Sequence, residues 1–194
     1  AALSDVENVH QELNLWTGEI RSRFTIESVP VEVSTFCCGN EDAIGVKIQS
    51  QLITEGRLKI KLLFPYPTGA WADEGVNYSD ANKHQSKILM SHDEGAVLLH
   101  QLDTTKYYVG FKWSGKALID QKQEHYFLIT PDGKTNSFEF AARFTPKNDL
   151  SFLPAYLNAK KSSEDSWKNF WNSGGAIDFS GSTDARAFEL ERRI

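Results

Sequence analysis

Several things this chain lacks narrow its class at once. No apolar run is long enough to cross a bilayer, so no membrane span is expected. Positive charge is not in excess: 21 Lys and Arg stand against 26 Asp and Glu, a net charge of −5. With no basic field to neutralise phosphates, a nucleic-acid partner is not expected. Cysteine is almost absent. The two present are neighbours, Cys37 and Cys38, whose mutual bridge would close a strained ring, so this is not a disulfide scaffold. A GxSxG elbow, a Walker phosphate loop and a dinucleotide glycine fingerprint are all missing. The chain therefore reads as non-catalytic by its own chemistry, with no cofactor expected. No signal peptide and no initiator Met are visible, since the sequence opens Ala1-Ala2. Both ends read as cuts.

What is present favours sheets. The 194 residues suffice for one good-sized domain with an appendage. Aromatic residues make up 12%, led by twelve Phe, and such a composition suits strands better than helices. Ile20, Ser22, Phe24 and Ile26 alternate with polar neighbours, and Val29, Val31 and Val33 follow after Glu27-Ser28, which predicts a hairpin. Ile44, Val46 and Ile48 alternate in the same way, as do Leu58, Ile60 and Leu62. Further strand pairs flank Asp93-Glu94-Gly95, Ser114-Gly115 and Pro131-Asp132-Gly133, and Phe138, Phe140, Ala142 and Phe144 share a face of the last strand. One face in a core and one in water is the antiparallel pattern. The fold class expected is mainly β, a large two-sheet antiparallel sandwich of roughly ten strands over residues 1–148.

Residues 65–83, PYPTGAWADEGVNYSDANK, interrupt this pattern as a long loop. Tyr66, Trp71, Asp73, Glu74 and Tyr78 make it the candidate substrate-binding segment. Aromatic faces stack on the C–H faces of sugars, and neighbouring carboxylates accept hydroxyl hydrogen bonds. The competing reading is that the aromatics simply pin the loop to the sandwich. Asp73-Glu74 and Asp93-Glu94 are the right residue type for glycoside hydrolysis, but adjacent carboxylates cannot face each other across a sugar. The five histidines, His10, His84, His92, His100 and His125, form no recognised ligand spacing; three recur every eight residues, but a hairpin turn lies between them. No metal site is expected. Cys37-Cys38 has no positioned His nearby in the sequence to activate it.

Residues 149–182 read as a linker containing a helix near 163–173. Ser162 is its candidate N-cap, and Gly174-Gly175 supply its stop. Trp167, Phe170 and Trp171 fall at i, i+3 and i+4, an apolar stripe worth about 450–750 Å² of burial that needs a partner. From Thr183 a second helix begins, with Ala187, Leu190 and Ile194 on one side and Glu189 spaced to pair with Arg193. It stops while still periodic, which points to further chain.

Three stretches carry a family resemblance: LNLWTGEIRSRFTIESVPVEVSTF, GRLKIKLLFPYPTGAWAD and SWKNFWNSGGAIDFSGSTDARAFELERRI. They resemble the N-terminal part of bacterial six-hairpin glycoside hydrolases with an (α/α)6 catalytic barrel, and most of all glycoside hydrolase family 65, the maltose and kojibiose phosphorylases and acid trehalases. The resemblance implies a β-supersandwich, a helical linker, and in residues 183–194 the first turns of a truncated barrel. It implies a non-catalytic domain whose partners are carbohydrate, through the full-length enzyme, and its own C-terminal barrel. Trp167, Phe170 and Trp171 would then be interdomain packing residues, and no position here matches the family's catalytic Glu. The parent would hydrolyse or phosphorolyse α-glycosides, and export to the periplasm or beyond would follow family habit. Relatives often carry Asp-Gly at the first hairpin and Asp-Pro-Arg where the barrel begins; this chain has Glu27-Ser28 and Asp184-Ala185-Arg186. An independent carbohydrate-binding module and a structural or dimerisation domain are the alternatives.

Overall fold

Two-residue alternation builds most of the molecule. The computed structural model describes residues 3–67, 69–72, 77–148, 153–174 and 177–193. Its strands are β1 (Val6–Asn14), β2 (Glu19–Ile26), β3 (Val29–Cys37), β4 (Ala43–Gln49), β5 (Ile60–Leu63), β6 (His84–His92), β7 (Gly95–Leu102), β8 (Thr105–Trp113), β9 (Ala117–Gln123), β10 (Tyr126–Pro131) and β11 (Ser137–Thr145). The helices are α1 (Gln51–Thr54), α2 (Tyr156–Asn172) and α3 (Ala187–Arg193). None among the described residues is long and apolar enough to cross a membrane.

The strands form an eight-stranded sheet in the order β1-β2-β3-β4-β11-β8-β7-β6 and a three-stranded sheet in the order β5-β10-β9. Every pairing is antiparallel. The core lies between the two sheets. Val31, Val46, Ile48, Leu98, Val109, Phe111, Phe138 and Phe140 come from the large sheet, and Ile119, Phe127 and Ile129 from the small one. Leu52 and Ile53 plug one side from α1, whose N-cap Ser50 accepts a hydrogen bond from the Leu52 N–H and donates one to the Pro30 carbonyl. The opposite face of the large sheet carries α2, seated over β3, β4 and β11.

The mainly β, two-sheet architecture matches the periodicity, but its connections differ from the hairpin reading in two places. Ser114-Gly115 and Pro131-Asp132-Gly133 do not close hairpins. Both are corners where the chain changes sheet, because β8 and β11 belong to the large sheet and β9 and β10 to the small one. Alternation shows which residues face a core, and both sheets share that core, so it cannot say which sheet a strand joins. The hairpin at Glu27-Ser28 is as expected, and both residues take positive φ, 51° and 64°. That is the turn an Asp-Gly would adopt more easily.

β1 was not anticipated. Its apolar residues Val6, Val9 and Leu13 look helical in spacing, because a bulge between Glu7 and His10, with Asn8 at φ 54°, breaks the two-residue period. The helix expected near 163–173 begins at Tyr156 instead. Ser162 is therefore no cap. The first turns bury Tyr156, Ala159 and Ser163, and small residues leave no hydrophobic signature. Asn158, in the first turn, makes the return half of a capping box, its Oδ1 accepting from the Ala155 N–H at 2.9 Å.

Candidate functional site

The first candidate surface is built by α2 and the β1–β2 turn. Close approach of helix to sheet is possible because Gly45 lies under Ala159, where a methyl would come within 2.6 Å of the Ala159 Cβ. Phe36 meets Tyr156 edge-on at 6.0 Å. Ser162 Oγ accepts from the Gly39 N–H and donates to Asn40 Oδ1, at 3.1 and 2.9 Å. Further along, Ser163 Oγ donates to the Thr17 carbonyl at 2.9 Å, and the Trp171 indole N–H donates to the Leu15 carbonyl at 2.6 Å. Gly18, at φ 72°, leaves room for the Trp167 ring.

Trp167, Phe170 and Trp171 thus form one cluster, with ring centroids 5.0–6.1 Å apart, and Trp16 joins it 5.4 Å from Trp171. Part of the partner that the stripe needs is inside the chain: the β1–β2 turn half-buries both Trp167 and Trp171. The rest faces water. Trp16 is 67% exposed, Phe170 60% and Leu13 51%, and together with Leu15 they make an apolar ledge along the edge of the large sheet. Beyond it, α3 also exposes its apolar side chains, Phe188 and Leu190. The Glu189–Arg193 pair forms at 2.5 Å, and Arg186 folds back onto Asp184, holding that carboxyl below its ordinary value through hydrogen bonds. Ile194 lies outside the described residues.

The long loop splits into two parts. Tyr66 is an anchor: its N–H donates to the Asn77 carbonyl at 2.8 Å, its hydroxyl reaches Asp103 at 3.3 Å, and its ring packs 5.6 Å from that of His84. Asn77 and Lys83 tie down Asp80 and hold its carboxyl below the usual range. Trp71, by contrast, is fully exposed, and Tyr78 is 53% exposed. Asp73 and Glu74 lie outside the described residues. The other acidic pair serves a turn: Asp93 is bound by Lys116, which lowers its pKa. Cys37 and Cys38 are free, and burial raises the Cys38 thiol, the opposite of an activated nucleophile.

Where the loop meets the sandwich, three histidines converge, and sequence spacing had not suggested it. His84, His100 and His125 are all buried, each with one ring nitrogen within 4.8 Å of the others'. Strands β6 and β7 pair Ser86 with His100 and His84 with Leu102, so the two histidines are diagonal neighbours on the inner face. His125 enters from the β9–β10 turn in the left-handed conformation, φ 59°. The signal was the hairpin itself: with its turn at Asp93-Glu94, His100 folds back beside His84, while His92 stays at the tip.

Hydrogen bonds order this cluster. His125 Nε2 meets the Ala81 carbonyl at 2.8 Å and must donate to it, so in the neutral ring Nδ1 accepts from Ser86 Oγ, 2.8 Å away. Having spent its proton, Ser86 Oγ accepts from His100 Nδ1 at 2.6 Å. His100 Nε2 is then a bare lone pair. It and His84 Nδ1 are buried with no hydrogen-bond partner among the described residues. Burial, reinforced by His84 and His125, lowers the His100 pKa to about 4. Burial and His125 lower that of His84 too, against the pull of Glu124 and Asp80.

The architecture recurs within two solved structures. It matches, over 86% of this chain and 25% of the other, the solved structure named "Putative kojibiose phosphorylase from human microbiome", with a TM-score of 0.54 and 12% identity. It matches a bacterial glucoamylase complexed with acarbose over 93% of this chain and 30% of that one, with a TM-score of 0.53 and 12% identity. The resemblance read from the sequence therefore holds at the level of the fold, and the chain spans less than a third of either neighbour. No family model and no curated protein sequence matches it.

Proposed function

We propose that this chain is a non-catalytic sandwich domain of a carbohydrate-active enzyme, supporting an (α/α)6 catalytic barrel through its aromatic ledge. The observation that carries this is the match of nearly all of the chain to a quarter or so of two carbohydrate enzymes. The ledge supplies the contact: Trp16 and Phe170 both pack against Trp171 and leave most of their surface in water. The parent hydrolyses or phosphorolyses α-glycosides, acts outside the cytoplasm, and receives the loop at its sugar site, with the exposed Trp71 stacking and Asp73 hydrogen-bonding. In the longer enzyme, Trp71→Ala raises KM or lowers kcat without lowering Tm; unchanged kinetics would remove the loop from the site. Trp16→Ser and Phe170→Ser lower the Tm of that enzyme more than they lower the Tm of this chain alone.

The full exposure of Trp71 favours a second reading, an independent carbohydrate-binding module with the loop as its platform. Calorimetry of the chain against maltose, trehalose, kojibiose and longer glucans separates the two. Silence supports the accessory role, and binding that Trp71→Ala abolishes supports the module. Turnover of any of these sugars by the chain alone would defeat both.

A further inference from the structure

We propose that the histidine cluster is a binding site for a divalent transition metal of the zinc class, with His84 Nδ1 and His100 Nε2 as its protein ligands. Those are the two buried imidazole nitrogens that no described residue satisfies, on side chains 6% and 1% exposed. A buried polar atom without a partner is destabilising, and two of them within one cluster call for a shared occupant.

The geometry suits one ion. Two imidazoles bound to a tetrahedral zinc at about 2.0–2.1 Å stand with centroids about 5 Å apart. His84 and His100 already stand 5.1 Å apart, their planes at 74°. His125 has a different task. It stacks on His84 at 3.5 Å with planes only 15° apart, and near-parallel rings cannot aim their lone pairs at one point. Instead it sets the tautomer of His100 through Ser86, the outer bond that metal-bound histidines characteristically make. Phe64, stacked on His100 at 4.8 Å, fixes the ring from the other side.

Ligand chemistry selects the ion. Neutral imidazoles suit zinc, copper and nickel, whereas calcium and magnesium require oxygen ligands. The acidic groups nearby act through charge. Asp80 and Glu124 act on His84, and Asp103 shares with it a cleft of about 130 Å³, lined also by Asn82, Lys83, Gln85 and Gln101. This site stands independently of the proposed accessory role.

The test is a zinc chloride titration of the metal-stripped chain, followed by calorimetry and by long-range 1H–15N NMR of the histidine rings. The expected result is one-to-one binding that shifts the His84 and His100 ring nitrogens while the exposed His10 and His92 stay in place. Ser86→Ala, which releases the tautomer of His100, weakens binding about 10–100-fold, and His100→Gln and His84→Gln, which remove a ligand, weaken it further. His10→Gln and His92→Gln leave it unchanged. The NMR readout needs no variant, so a misfolding substitution does not remove the test. Absence of heat and ring shifts, or binding that survives both ligand substitutions in folded protein, or loss of binding in His10→Gln or His92→Gln, overturns the proposal.

Discussion

Gly45 decides how closely α2 can lie on the large sheet, and replacing it tests that seating directly. Ala159 is completely buried above it; a methyl at position 45 would sit 2.6 Å from the Ala159 Cβ and 3.2 Å from the Tyr156 carbonyl oxygen. Carbon atoms prefer about 3.5–4.0 Å, so Gly45→Ala pushes the helix outward by about 1 Å. Overpacking of this kind costs about 1–3 kcal/mol, a fall in Tm of about 2–12 °C for a chain this size. Ala159→Gly removes the opposing methyl, at a cost of about 1 kcal/mol in helix propensity. The double variant should therefore be more stable than the sum of the single losses by about 1–2 kcal/mol. The Tyr156 carbonyl still has to give by a few tenths of an ångström, so the rescue is partial. Urea unfolding followed by tryptophan fluorescence measures all four corners of the cycle, since Trp167 and Trp171 report from α2. A Gly45→Ala protein within about 0.5 kcal/mol of wild type, or losses that simply add, would refute the contact.

Two other changes test the fold. Ser28→Gly puts glycine at an exposed residue with φ 64° and keeps the Glu27–Arg57 ion pair; it should stabilise by about 1 kcal/mol in urea unfolding. A loss of stability there would mean that the first hairpin does not make this turn. Burial, with Glu19, Glu139 and Glu164 nearby, raises the Tyr156 phenol to about 12. The folded state therefore holds this proton more tightly than the unfolded chain, near 10. The linked stability is fully present below pH 10 and lost as pH rises toward 12, by at most about 2–3 kcal/mol. Tyr156→Phe should flatten that part of the pH–stability curve, and an unchanged alkaline limb would place the phenol in solvent.

Much of the sandwich was legible because alternation is a local property. The strands holding Val29–Val33, Ile44–Ile48 and Phe138–Phe144 could be assigned from their own residues. Misreadings arose where one residue disturbed the period or where small residues did the packing. The Asn8 bulge gave β1 a helical spacing, and Ala159 and Ser163 hid the first half of α2. The aromatic stripe was visible as a stripe, but its partner, the turn from Leu15 to Gly18, lies some 150 residues earlier and no periodicity links them. In the long loop, the choice between anchor and platform could not be made from composition. In the structure Tyr66 is held by Asp103 and Asn77, and Trp71 is left in water.

By itself the sequence determined that this is an antiparallel, acidic, aromatic-rich β chain with an aromatic helix near its end, since composition and two-residue and 3.6-residue periods act along the chain. Only the tertiary structure decided which strands change sheet at Gly115 and Gly133, how α2 finds the β1–β2 turn, and that His84, His100 and His125 share one buried corner. Those outcomes depend on contacts between segments far apart in the chain, where burial of a common core, rather than any neighbour in sequence, selects the arrangement.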